Sequence, residues 1–314
     1  MAIPKKIYGL IGYPVKHSLS ALMHNAAFAA LGINAEYRLF EIEPSKLEGF
    51  LRGGADDKFL DTQRKEFYSK DIVGFNITIP HKVPAFFLVA GKVVRQGMDY
   101  SAMMTGAVNT VKRDGEKLVY YNTDVKGFTD SLSKDLKFNL DNKTALVFGC
   151  GGAGRAVIAG LLPQDGFRVE KIYIYDANRE AMSAVKKQFS SPIFEDKIGI
   201  VIPLEDEKKI PEKFSELDLL INTSPVGMKE GDPSIIDKKL LEGNDKLYVY
   251  DVVYNRETQL VKDAGETKRP VKSGKGMLLY QGFAAFNIWF PNLREEEKEI
   301  ALEAMRKALD AELG

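Results

Sequence analysis

Cysteine is almost absent from this chain. Cys150 is the only one in 314 residues, which excludes an intrachain disulfide. That usage fits a reducing compartment, and the cytoplasm is the expected location. Histidine is scarce as well: His17, His24 and His81 are the only three, without metal-ligand spacing, so no metal site is expected. Neither sign of charge is in excess. Forty-four Lys and Arg face 44 Asp and Glu, for a formal net charge of zero. No basic surplus is available to draw in nucleic acid or an anionic membrane, and neither is expected as a partner. No stretch is apolar and long enough to span a bilayer, and the opening MAIPKKIYGLIGYP lacks the apolar run of a secretory leader. Internal repeats and low-complexity tracts are also missing. What is present is an ordinary globular composition, 45% hydrophobic and 28% charged, over a length that suits two domains.

Strands and helices alternate along the first half. Lys6 to Ile11 reads as a short strand, and Ser20 to Leu31 as a helix stopped by Gly32. Tyr37 to Ile42 is a second strand and Pro44 to Leu51 begins another helix. The charged run Arg52 to Asp71, with scattered apolar residues, reads as a solvated, partly helical insertion. Ile72 to Ile79 is a further strand. This alternation predicts an α/β architecture with a largely parallel sheet. Near Asp141 the character changes. KTALVF (Lys143 to Phe148) is an apolar strand of the kind buried on both faces. It enters GCGGAG and a helix, RAVIAGLL. KIYIYD (Lys171 to Asp176) and the helix ANREAMSAVKKQF follow, then strands at Leu217 to Asn222 and Leu247 to Asp251. Met277 to Leu313 is helical in pattern.

Two stretches carry chemistry. In GFNITIPHK (Gly74 to Lys82), a β-branched strand runs into Pro80, which cannot donate to a ladder, and Lys82 stands just beyond. Such a lysine is either solvated or a functional amine at a strand end. In GCGGAG, Gly149, Gly151 and Gly154 satisfy G-x-G-x-x-G between a strand and a helix, the context of a dinucleotide-binding turn. Gly149 permits the turn, Gly151 admits a pyrophosphate, and Gly154 allows close packing at a helix N-terminus that favours anions. Cys150 within the loop suits a small residue facing the sheet. Asp176, 22 positions after Gly154, can accept hydrogen bonds from ribose hydroxyls and repel a 2′-phosphate, which favours NAD. NADP stays open because Arg179 lies within reach of a phosphate. A cap on the following helix is a compatible role for Asp176.

These fragments, with others in the same order, resemble the shikimate dehydrogenase family, nearest its quinate/shikimate branch. The likeness runs through IGYPVKHSLSALMHN (Ile11 to Asn25), FNITIPHK, GAVNT (Gly106 to Thr110), YNTD (Tyr121 to Asp124), GCGGAGR, NTSPVGM (Asn222 to Met228), YDVVYN (Tyr250 to Asn255) and GKGMLLYQG (Gly274 to Gly282). The resemblance implies two α/β domains with a cleft between them. Residues 1–123 with 277–314 would form a substrate-binding and catalytic domain, and 124–276 a Rossmann-type domain for NAD or NADP. It implies Lys82 and Asp124 as the catalytic pair. Ser18 and Ser20 match serines that hold a ring carboxylate, with Tyr254 over the same end. Thr78, Asn109 and Gln281 match ring-hydroxyl contacts. Gly149, Gly151, Gly152, Ala153, Gly154, Asp176, Arg179, Thr223, Met228 and Gly274 match the cofactor site.

The implied residue types suit the chemistry. Two neutral hydroxyls can donate to a carboxylate without burying another ion, and the amides of Asn109 and Gln281 can each donate and accept toward a polyol. Lysine can move a proton while the nicotinamide carries the hydride. On this reading Ile77 and Ile79 anchor the strand, Asn76 and Thr78 face the ring, and His81 is a bystander whose ring could tune the lysine. The sequence departs from the family at Ala21, Val125, Arg256 and Lys275, where proline, glycine, proline and an apolar residue are usual; none is a presumed catalytic group. The expected activity is reversible oxidation of shikimate, of quinate, or of both. The alternatives are an aminoshikimate-type dehydrogenase and a non-catalytic sensor of ring acid or dinucleotide. Retention of Lys82 and Asp124 argues against the sensor. A small-molecule ring acid is the expected partner, and a homodimer the candidate assembly.

Overall fold

The computed structural model describes residues 4–53, 58–91, 97–115, 117–162, 169–190 and 200–313. The chain divides into two compact units, Met1–Thr123 with Gln281–Gly314, and Asp124–Tyr280.

The first unit contains β1 (Lys6–Gly12), α1 (Ser20–Ala30), β2 (Ala35–Glu41), α2 (Leu47–Arg52), β3 (Lys58–Leu60), β4 (Glu66–Tyr68), β5 (Ile72–Ile77), α3 (Lys82–Ala90), α4 (Tyr100–Thr105), β6 (Thr110–Asp114) and β7 (Lys117–Tyr121). Its main sheet has the order β2-β1-β5-β6-β7. β2, β1 and β5 run parallel, and β6 and β7 are antiparallel to their neighbours. One face packs on Ile11, Phe40, Phe50, Phe75 and Ile77. The other carries rings: Phe28 and Trp289 sit about Tyr8 at centroid distances of 5.4 and 5.0 Å. Trp289 also donates its indole N–H to the Val111 carbonyl (3.0 Å), which satisfies the one polar atom of a buried ring. The β6–β7 hairpin was not legible in the sequence, because its residues are largely charged or half-buried.

Among its described residues the charged run Arg52–Asp71 keeps a 3-10 turn at Ser69–Asp71 but is mainly strand, not helix. β3 and β4 form an antiparallel hairpin. Phe59 points into the core, edge-on to Phe50, and Phe67 packs edge-on to Phe40. Asp61 accepts the backbone N–H groups of Gln63 and Lys65, closing the turn, and pairs with Arg38 of β2. Each strand has only three residues, too short a run for periodicity to register.

The second unit contains α5 (Asp124–Lys134), β8 (Thr144–Phe148), α6 (Gly152–Leu161), β9 (Lys171–Tyr175), α7 (Arg179–Phe189), β10 (Val201–Pro203), α8 (Ile210–Phe214), β11 (Leu219–Asn222), α9 (Lys238–Glu242), β12 (Tyr248–Asp251), α10 (Gln259–Glu266) and β13 (Val271–Ser273). Its sheet has the order β10-β9-β8-β11-β12-β13, with every pair parallel. Counted within the unit this is 3-2-1-4-5-6, the doubly wound dinucleotide-binding order. β8 is buried along its whole length, as its uninterrupted apolar sequence requires.

α11 (Lys275–Trp289) and α12 (Glu295–Leu313) close the chain, and α12 packs against α1. The return to the first unit begins at Gln281 rather than Met277. The first turns of α11 stay with α5: Gly276 lies against Ser131 and Asp135, and the Tyr280 hydroxyl donates to Asp135 (3.1 Å). Among the described residues no helix is long and apolar enough to cross a membrane, and no three metal-ligating side chains come together.

Candidate active site

In the first unit β5 ends at Ile77, two residues earlier than the sequence suggests. Ile79 does not anchor the strand; it is 61% exposed. The backbone turns instead: Thr78 N–H donates to Ile11 O (2.9 Å), and His81 N–H donates to Thr78 O (2.9 Å). Lys82 is half-buried as the first residue of α3, and its carbonyl accepts the Val108 N–H (2.9 Å). His81 is fully buried, with Nε2 donating to the Ile42 carbonyl (2.6 Å), and burial lowers its pKa. The ring thus ties the turn before α3 to the residue that follows β2.

Ser18 and Ser20 lie together at the start of α1, hydroxyl to hydroxyl at 3.2 Å. Thr78 is half-buried at the turn. Asn109, 1% exposed, reaches Gln281 across 172 positions of sequence, Nδ2 to Oε1 at 3.5 Å. Asn76 is taken up by bonds within the unit. It is buried and bonded to Tyr37, Asn109 and Thr110, so its role lies behind the polar set.

In the second unit Asp124 is the first residue of α5 and 3% exposed. The glycine loop lies between the carboxyl ends of β8 and β11, the point where strand order reverses and where ligands of this fold class bind. Gly149 has φ +99°, and a Cβ there would lie 2.7 Å from the Thr223 hydroxyl. Nothing lies within 4 Å of a Cβ built on Gly151, the exposed N-cap of α6, so that backbone is open to approach. Gly152 and Ala153 are half-buried in the first turn, whose orphan N–H groups suit a phosphate.

Asp176 follows β9 and is held by two backbone donors, Cys150 N–H to Oδ2 (2.7 Å) and Asn178 N–H to Oδ1 (2.8 Å). It is not the helix cap: Asn178 caps α7 by accepting from Glu180 and Ala181. Asp176 ties β9 to the glycine loop. Arg179 begins α7, exposed. Cys150 is buried, and its thiol is pushed up to about 12 by burial and by Asp176, which leaves no reactive thiolate.

Thr223 donates its hydroxyl to the carbonyls of Phe148 (2.7 Å) and Gly149 (3.0 Å), so it braces the glycine loop from β11. Sequence reading missed the residues that shape the rest of this loop. Asn222 donates to Val226 O and to Asp251, each at 3.0 Å, while its Oδ1 accepts from Ser224. Asp251 is fully buried at the end of β12. Burial pushes its carboxyl up to about 6, against hydrogen bonds from Thr258, Val253 and Asn222. Both residues sit inside quoted motifs, but hydrogen bonds between strand ends leave no mark on either strand alone. Met228 is 47% exposed beyond them, Tyr254 is half-buried after β12, and Gly274 packs directly on the Val252 backbone.

Residues 10–111 match the family model described as the shikimate dehydrogenase substrate binding domain. Over 309 residues the chain is 35% identical to a protein of Methanopyrus kandleri named shikimate dehydrogenase (NADP(+)), covering 96% of this chain and 94% of that one. It belongs to the shikimate dehydrogenase family. Solved structures of the family share the fold. A shikimate dehydrogenase of Aquifex aeolicus superimposes with TM-score 0.76 at 30% identity, covering 98% of this chain and 99% of that one. One from Listeria monocytogenes, solved with shikimate and NAD, gives TM-score 0.76 at 26% identity, covering 97% and 96%. The two-unit α/β architecture is that of shikimate dehydrogenases, and the family model falls wholly within the first unit.

Proposed function

We propose that the protein is a nicotinamide-dependent shikimate dehydrogenase that oxidises a ring hydroxyl of shikimate reversibly to the ketone, 3-dehydroshikimate. The observation that carries this reading is the meeting of Asn109 and Gln281, two amides far apart in sequence, in the unit that also holds the Ser18–Ser20 pair and Lys82. Two adjacent hydroxyls can turn their protons to one carboxylate, giving up their mutual bond. The amides serve the ring hydroxyls, with Thr78 beside them and Tyr254 at the carboxylate end. A bound nicotinamide supplies the hydride acceptor. Lys82, oriented by Asp124, takes the hydroxyl proton in oxidation and returns it in reduction. Quinate enters as a second substrate because the wording HSLS, VGMK and YQG leans to the dual branch, and a pocket that merely tolerates a hydroxyl discriminates weakly. Parallel measurement of kcat/KM on both acids is expected to give turnover of each. Turnover of shikimate alone, even at saturating quinate, would place the protein with the strict dehydrogenases.

NAD is the proposed preferred dinucleotide. The Methanopyrus relative is named for NADP(+), whereas the Listeria structure holds NAD. Asp176 supports NAD because its carboxylate is fixed by two backbone N–H groups at the end of β9, where a 2′-phosphate would meet like charge. Asp176→Ser combined with Ala177→Arg is expected to move the ratio of kcat/KM values toward NADP by about 10- to 100-fold, the worth of a charge-assisted hydrogen bond. If the unmodified protein already prefers NADP, the role of Asp176 is wrong, and Arg179 at the start of α7 becomes the phosphate ligand.

A further inference from the structure

We propose that Tyr37 is a positioning residue for the ring-acid site, acting through Asn76 and Thr110 to hold Asn109 with its amide nitrogen, rather than its oxygen, turned toward Gln281. The proposal deepens the ring-acid reading and rests on it.

Backbone groups fix the direction of each amide. The Asn109 carbonyl can only accept, and it lies 3.2 Å from one amide atom of Asn76, which must therefore be Nδ2. The same Nδ2 donates to Thr110 Oγ1 at 2.9 Å. Asn76 Oδ1 is then on the opposite side, where the Tyr37 hydroxyl donates to it at 2.7 Å. Tyr37 is 2% exposed, and burial keeps its phenol protonated by raising its pKa well above the usual value. The next amide follows the same logic. The Thr123 N–H can only donate, and it meets Asn109 at 2.7 Å, so that atom is Oδ1. Thr110 Oγ1 donates to the same Oδ1 at 3.0 Å. With its oxygen filled from within the unit, Asn109 turns Nδ2 to Thr123 Oγ1 (3.0 Å) and Gln281 Oε1 (3.5 Å). The second distance is at the outer edge of hydrogen bonding, and Nδ2 is the end of the amide turned toward Gln281. Asn109 thus serves the ring as a donor.

Tyr37 is itself held by the HN dipeptide of the first motif, which the ring-binding set leaves unused. Asn25 brackets its backbone, donating to Tyr37 O (3.0 Å) and accepting from Tyr37 N–H (2.8 Å). The His24 ring stacks on the phenol at 4.4 Å with planes 13° apart. Burial lowers the His24 pKa to about 3, so the stack stays neutral.

Tyr37→Phe removes one hydroxyl from this chain of bonds and keeps the ring in its stack. It is expected to raise KM for shikimate about two- to tenfold, the size of one neutral hydrogen bond. The KM for the dinucleotide is expected to stay unchanged, and kcat nearly so. In an Asn109→Ala background the same substitution is expected to add nothing. Thr110→Val should reproduce the KM rise and Thr110→Ser should not, a pair that decides the matter if Tyr37→Phe fails to fold. A Tyr37→Phe protein with lowered Tm but unchanged shikimate KM would overturn the proposal. So would an effect that multiplies with that of Asn109→Ala, or equal behaviour of the two Thr110 variants. Absence of ring-acid turnover in the unmodified protein would sink the underlying reading, and is seen before any variant is compared.

Discussion

Lys82→Ala is expected to lower turnover of the ring acid by about 100- to 10,000-fold, the usual contribution of a general acid–base group, with little change in its KM. The proton leaves the ring hydroxyl as hydride departs, so a missing acceptor is felt in the transition state and hardly in the bound ground state. The backbone of the helix tolerates the change. Alanine is the best helix former and suits the first position of α3. The backbone there is pinned by the Val108 N–H bond, and α3 is anchored through Ala85 and Val89. The loss should therefore appear in kcat of a protein with unchanged circular dichroism and unchanged dinucleotide binding. Near-normal turnover would remove Lys82 from the mechanism. Ring-acid binding should survive, because Ser18 and Ser20 bond to each other and Asn109 is bonded to Thr123 and Thr110.

Gly154→Ala is expected to weaken dinucleotide binding by about 10- to 100-fold, as overpacking of about 1–3 kcal/mol implies. A Cβ at Gly154 would collide with the Gly149 carbonyl and lie 2.9 Å from the Thr223 hydroxyl. Both neighbours are fixed. The Gly149 N–H donates to Tyr175 O (2.8 Å), and the Thr223 hydroxyl is bonded to Phe148 and Gly149. The strain can be relieved only by displacing the loop that presents its N–H groups to a phosphate. Gly265→Ala is the matched control, since a Cβ there meets nothing within 4 Å. Fluorescence titration with NADH on the two variants measures the difference. Equal affinities would mean that the loop does not hold the dinucleotide.

Much of this protein could be read from sequence because its informative segments are local. KTALVF announces a strand buried on both faces, the spaced glycines mark a turn that needs a missing Cβ, and Lys82 stands just beyond a β-branched strand. Each signal depends on residues within a few positions, where pattern and geometry are coupled. The α/β class was legible on those grounds, whereas the return of the last helices to the first unit was expected only from the family resemblance. The charged Arg52–Asp71 run was read only in part, because two strands of three residues give periodicity no room, while burial of Phe59 and Asp61 depends on Phe50 and Arg38, which lie elsewhere in the chain.

The sequence by itself determined the residue types on which the proposed chemistry rests: a lysine, a carboxylate, paired serines, two amides and a glycine loop. Only the tertiary structure decided how those groups are aimed. It gave the second sheet its reversed strand order, turned Asp176 onto the Cys150 N–H, and left the helix cap to Asn178. It also bonded Asn76 to Asn109 and linked it to Tyr37, 39 positions away. The physical reason is that an amide has one accepting and one donating end. Which end it presents is fixed by the partners buried around it, and those partners arrive from other strands only when the sheet has formed.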